Sequence, residues 1–186
     1  MNPATIIAVC AACTGFGTGV LAINLMRFPS KRRYGRHALA LIGFSAAGYA
    51  VFDCFGALPG YSAEFRARAA EFNLAFSSTY IMGWILFDPS SSQQRASTPT
   101  RIGMSLLVIG LIVGLIPGVL YTRTIIERRV SWLDLLYYDA VPTTIGEIYF
   151  ATYAGILAVW CIRFLVRRRA GDHRVGLFAI ALGVQV

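Results

Sequence analysis

Five apolar stretches, each separated from the next by a basic or polar turn, decide what a chain of this length can become. They cover residues 5–26, 38–58, 72–87, 102–121 and 145–166, and a sixth covers 175–186. A helix rises about 1.5 Å per residue, so about 20 apolar residues match a hydrocarbon core of roughly 30 Å. The sixth stretch, at 12 residues, reads as a span that the sequence leaves incomplete. Hydrophobic residues are 56% of the chain and charged residues 14%, where a soluble domain carries about 25% charged. These features predict an all-α, polytopic integral membrane helix bundle. It has five full spans plus a truncated sixth and forms a single domain over residues 1–186. The first stretch has no basic lead-in and no cleavage site, so it reads as a retained span and not a secretory signal.

The net charge of +8 does not point to nucleic acid, because the basic residues sit in the turns between apolar runs. Alternate turns carry twelve Lys and Arg against five in the others. Arg32, Arg33, Arg167, Arg168 and Arg169 belong to the richer set. By the positive-inside rule this bias puts the richer turns in the cytoplasm and the N-terminus outside, with the lipid bilayer as the partner. The connection over 122–144 then faces outward. Its middle, residues 130–138, reads as an interfacial amphipathic helix with Trp132, Tyr137 and Tyr138 at headgroup level.

Gly110, Gly114 and Gly118 recur every fourth residue, which places them on one helical face; Ala11, Gly15 and Gly19 repeat the pattern. Small residues at this spacing let helices approach closely in lipid. The expected use is packing inside the bundle, with a homodimer contact as the alternative. Cys10 and Cys13 read as small packing residues, since redox and metal motifs need polar, accessible surroundings.

Polar groups inside the apolar runs mark the candidate site: Asp53, Glu71, Asn73, Glu147 and Tyr149, all in the outer half under this orientation. An ionised group in a span faces the bundle interior or water. One reading has these residues lining a pocket for a small polar or cationic signal. The other makes Glu71 and Glu147 helix-start carboxylates, and pairs Asp53 with an arginine among Arg66, Arg68, Arg123 and Arg128. Catalytic, cofactor and metal motifs are absent from the sequence: no phosphate-binding glycine loop, no His-Glu-x-x-His and no nucleophile elbow.

The turn Arg27-Phe-Pro-Ser-Lys-Arg-Arg-Tyr-Gly-Arg is followed by Leu39-Ala-Leu-Ile-Gly-Phe-Ser-Ala-Ala-Gly-Tyr-Ala. Further on come Phe76-Ser-Ser-Thr-Tyr-Ile-Met-Gly-Trp-Ile-Leu-Phe and Arg163-Phe-Leu-Val-Arg-Arg-Arg. With the start Arg174-Val-Gly-Leu-Phe, this order resembles the N-terminal seven-helix membrane region of bacterial sensor histidine kinases, found also before diguanylate cyclases. The resemblance implies a multi-pass sensor input module in the bacterial inner (cytoplasmic) membrane. It would receive an unknown small-molecule or membrane-borne signal and would hold no enzyme activity of its own. An accessory subunit of a membrane complex and a small transporter are the rival readings.

Overall fold

The computed structural model describes residues 3–26, 33–58, 60–87, 98–131 and 135–169. The elements in chain order are α1 (Pro3–Met26), α2 (Arg33–Ala57), α3 (Ala63–Phe87), α4 (Thr98–Gly114), β1 (Tyr121–Val130), β2 (Leu135–Pro142) and α5 (Thr144–Arg169). Two compact units form, Met1–Tyr149 and Phe150–Val186; within the second, the described residues continue α5.

This overturns the expectation of an all-α bundle with five full spans. Residues 121–142 form an antiparallel hairpin, with Ile126 opposite Asp139, Glu127 opposite Tyr138 and Arg128 opposite Tyr137. Thr122, Thr124, Ile125, Ile126 and Val130 supply β-branched side chains on one strand, and Tyr137, Tyr138 and Val141 fit the other. The stretch over 130–138 expected as an interfacial helix instead holds the end of β1 at Val130 and the start of β2 at Leu135, with Tyr137 and Tyr138 on that strand; residues 132–134, Trp132 among them, lie outside the described residues.

Among the described residues, only His37–Gly56 of α2 is long and apolar enough to cross a bilayer. Val9–Asn24, Arg101–Gly114 and Thr144–Trp160 are apolar but shorter. The physical reasons differ by element. α3 spends its first turns on Glu64, Arg66, Arg68 and Glu71. α4 stops at Gly114, and the chain turns through Pro117 and Gly118, whose φ of 76° is left-handed and suits glycine. Arg32 and the stretch 175–186 lie outside the described residues, as do the side chains of Arg33, Arg167, Arg168 and Arg169.

Glycine sets how α1 meets α2. A Cβ on Gly43 would lie 2.5 Å from the Gly19 nitrogen and 2.7 Å from the Gly15 oxygen. One on Gly15 would meet the Gly43 oxygen and the Ala47 nitrogen at 2.8 Å. Backbone therefore rests on backbone, the contact that small residues permit. Away from this seam α1 carries Cys10, Cys13 and Leu21, all exposed, while Phe16 at its edge meets Phe44 of α2 edge-on at 5.6 Å. The two thiols point away from the packing seam, contrary to the sequence reading.

α2 meets α3 through rings: Phe52 stacks on Phe72 at 5.1 Å and on Phe76 at 5.6 Å. Ile42, Ile81, Ile85, Leu107 and Leu120 are buried in the same unit. Contacts of Arg66 with the end of α2, of Glu71 with Gly118 and of Thr143 with Leu120 gather the end of α2, the start of α3, the 115–120 turn and the start of α5 at one place. Ser62 caps α3 by accepting the Phe65 N–H at 3.2 Å. Thr143 caps α5, accepting the Gly146 N–H at 3.0 Å while its own N–H donates to Leu120 O at 2.9 Å. The hairpin is tied into that same place.

Candidate functional site

Asp53 lies one turn before the C-terminus of α2, where the helix dipole disfavours a carboxylate. Among the described residues no arginine pairs with it. Its Oδ1 accepts the Tyr137 hydroxyl from the hairpin at 2.7 Å and the Asn73 amide of α3 at 3.3 Å. One oxygen thereby joins three elements. Tyr49, one turn earlier on α2, sits close enough to interact with both Asp53 and Asn73. Gly56 lets the Tyr137 ring lie against α2, since a Cβ there would fall 2.5 Å from its Cζ.

Glu71, only 2% exposed, serves a separate arrangement two residues before Asn73. Its Oε2 pairs with Arg68, and its Oε1 accepts the Gly118 N–H at 2.8 Å. The carboxylate therefore fixes the turn after α4. It is a buried structural anchor, and α3 has already run through its first two turns before reaching it. Tyr149 binds Ser78 across to α3 at 2.6 Å. Because the Ser78 hydroxyl donates to Leu74 O, the phenol donates to Ser78. Gly110 gives that ring its place on α4: a Cβ there would lie 1.7 Å from Tyr149 Cε2. Gly114 abuts Leu120, whereas Gly118 has left the helix for the turn, so the predicted three-glycine face holds only its first two members. Glu147 is exposed in the first turn of α5, apart from these groups.

Four of the five predicted polar residues thus enter three bonded clusters, and only Asp53 with Asn73 forms the direct pair. The arginines divide their work. Arg68 takes Glu71, Arg123 lies 3.5 Å from Glu64, and Arg128 lies 3.2 Å from Asp139. The last two pairs are largely solvated and contribute little. Arg66 is different. Buried to 5% exposure, it donates to the carbonyls of Phe55 (3.2 Å), Gly56 (3.2 Å), Leu58 (2.6 Å) and Tyr61 (3.3 Å). Its guanidinium also lies 3.8 Å from the centre of the Tyr138 ring. It closes the C-terminal end of α2 with a cation, as the dipole favours, and gives the hairpin a second foothold.

Sequence reasoning missed Tyr137 as the donor to Asp53, as well as Tyr49, Ser78 and Tyr121. Only a hairpin register could have shown that residue 137 meets residue 53. Burial raises the Tyr137 phenol well above its ordinary value, and the Asp53 charge adds to this. Tyr121 is raised chiefly by burial, with Tyr49, Asp139, Glu71 and Tyr149 adding. Both phenols stay protonated in the folded chain after the unfolded chain begins to lose its protons near pH ~10. The folded state then holds more protons, so stability is full below that pH and falls as pH rises through it. Alkaline titration followed by circular dichroism should show this fall, and Tyr137→Phe should flatten it. An identical alkaline slope in both proteins would mean that the phenol is solvated.

No family model, curated protein or solved structure matches this chain.

Proposed function

We propose that the chain is a signal-receiving module embedded in the bacterial cytoplasmic membrane, the input part of a sensor that drives a phosphorelay or a cyclic-dinucleotide output. One feature of the surface supports this. The helices turn large apolar side chains outward, among them Phe16 and Leu21 of α1, Ile109 and Ile112 of α4, and Ile148 of α5. A monomer in water rarely exposes so many large apolar side chains, whereas lipid tails cover them.

The observation that carries the reading is the shared Asp53 oxygen. A two-stranded hairpin is marginally stable by itself, so its docking depends on Tyr137 with Asp53 and Tyr138 with Arg66. Docked and released hairpins are two discrete arrangements, and a signal that binds one better shifts the balance. The hairpin runs straight into α5 through Thr143, so a change in docking acts on the start of that helix.

The test uses the chromosomal gene. Deletion should change a set of transcripts or the cellular cyclic-dinucleotide level, and both Asp53→Asn and Tyr137→Phe should shift the same readout. If deletion moves the readout while both substitutions release the hairpin without moving it, the sensor reading is wrong.

A further inference from the structure

Among the described residues, one helical segment is long enough to cross a bilayer, and three rings gather at its end. His37–Gly56 of α2 holds 20 residues, which at about 1.5 Å per residue matches a hydrocarbon core of roughly 30 Å. Phe55 closes that segment. The chain then turns at Gly60, whose φ of 90° is left-handed, passes Tyr61 and enters α3 at Ala63. Tyr61 and Phe65 stack at 4.6 Å between centroids, and Phe55 meets them edge-on at 5.4 and 5.2 Å. Tyr61 is nevertheless 41% exposed and Phe65 39%. Charge stands next to these rings. Glu64 lies 3.5 Å from Arg123, and their side chains are 67% and 79% exposed. Charges that open keep their hydration. One short stretch thus presents an uncovered ring surface, a phenol and a hydrated ion pair, at the end of a helix as long as the oily core is thick.

We propose that Tyr61 and Phe65 form an interfacial anchor, seated among the lipid headgroups and first acyl carbons at the end of the α2 span. Rings with a polar tip settle at that depth because the apolar body leaves water while the tip stays wet. The sequence reading gave this post to Trp132, Tyr137 and Tyr138, but the hairpin commits both tyrosines to Asp53 and Arg66. The carbonyls of Phe55 and Tyr61 bind Arg66, which carries Tyr138. The anchor and the hairpin latch therefore share one support. The partner is lipid at the interface, and this inference rests on the membrane reading given above.

The experiment places Phe65→Trp, in the otherwise unchanged chain, into phosphatidylcholine vesicles brominated either just below the headgroups or at mid-chain. The emission it adds to that of the native tryptophans should be quenched about twice as strongly by the shallow bromines as by the deep ones, as a ring at headgroup level requires. Leu106→Trp, midway along α4 and at a position 41% exposed, should show the opposite order. Should Phe65→Trp not fold, Tyr61→Trp takes its place with the same expected result. Equal quenching by the two lipids, stronger quenching by the deep one, or none overturns the anchor. The last result is also the one expected if a protein partner covers the rings, since vesicles of lipid alone lack it. Shallow quenching at residue 65 beside no quenching at residue 106 would retire the embedded-module reading and keep the anchor. Deep quenching at residue 106 with none at residue 65 would do the reverse.

Discussion

Replacing Gly43 with leucine should part α1 from α2 and cost about 3 kcal/mol, the upper end for overpacking a tight contact. The first added atom would already stand 2.5 Å from the Gly19 nitrogen and 2.7 Å from the Gly15 oxygen. Both are backbone atoms, so neither can swing aside as a side chain would. The only relief is for α1 to retreat as a body, which forfeits dispersion contacts along the whole seam. Gly17, on the same helix, is the control: a Cβ there meets nothing within 4 Å. Gly17→Leu should change stability by less than about 0.5 kcal/mol. Equilibrium unfolding in mixed micelles separates the two. Equal losses for Gly43→Leu and Gly17→Leu would mean that α1 and α2 do not meet backbone to backbone.

Arg66→Met is expected to cost about 3 kcal/mol, because several acceptors lose their donor at once. The guanidinium serves the carbonyls of Phe55, Gly56, Leu58 and Tyr61, and methionine keeps the stem's bulk without any donor. Arg66→Lys restores the charge but lacks the planar fork, so it should recover less than half of the loss. The same comparison reads the hairpin, since Tyr138 rests on that guanidinium. Full recovery by lysine would show that charge at the end of α2 matters and the individual hydrogen bonds do not.

Much of the helical layout was legible in the apolar runs, because an unbroken stretch such as residues 38–58 has few alternatives to a helix. What failed was the conversion of each run into a membrane span. Apolar counting cannot see that Pro117 and Gly118 turn the chain early, or that Arg66 and Arg68 occupy the first turns of α3. The hairpin was hidden for a related reason. Ile125, Ile126, Leu135 and Leu136 also satisfy a helical pattern over so short a distance, and only cross-strand pairing distinguishes the two. In the site, Asp53 and Asn73 stood out as polar residues in apolar surroundings. Their grouping with Tyr137 depends on a contact across 84 positions, which no local spacing encodes.

Glycine patterns were informative in one helix and misleading in another. Gly15 and Gly19 face α2 as the every-fourth-residue rule suggests. Gly118 shares that spacing with Gly110 and Gly114 but serves a left-handed turn, where its N–H reaches Glu71. Spacing alone carries no information on where a helix stops.

Hydrogen exchange of the hairpin amides over 121–142, in lipid nanodiscs, tests the latch most directly. With Asp53→Asn, protection there should fall at least tenfold, while the amides of α1 and α2 along the Gly15, Gly19 and Gly43 seam keep theirs. Unchanged hairpin protection in that variant would contradict the account, since the hairpin would then be held without the carboxylate.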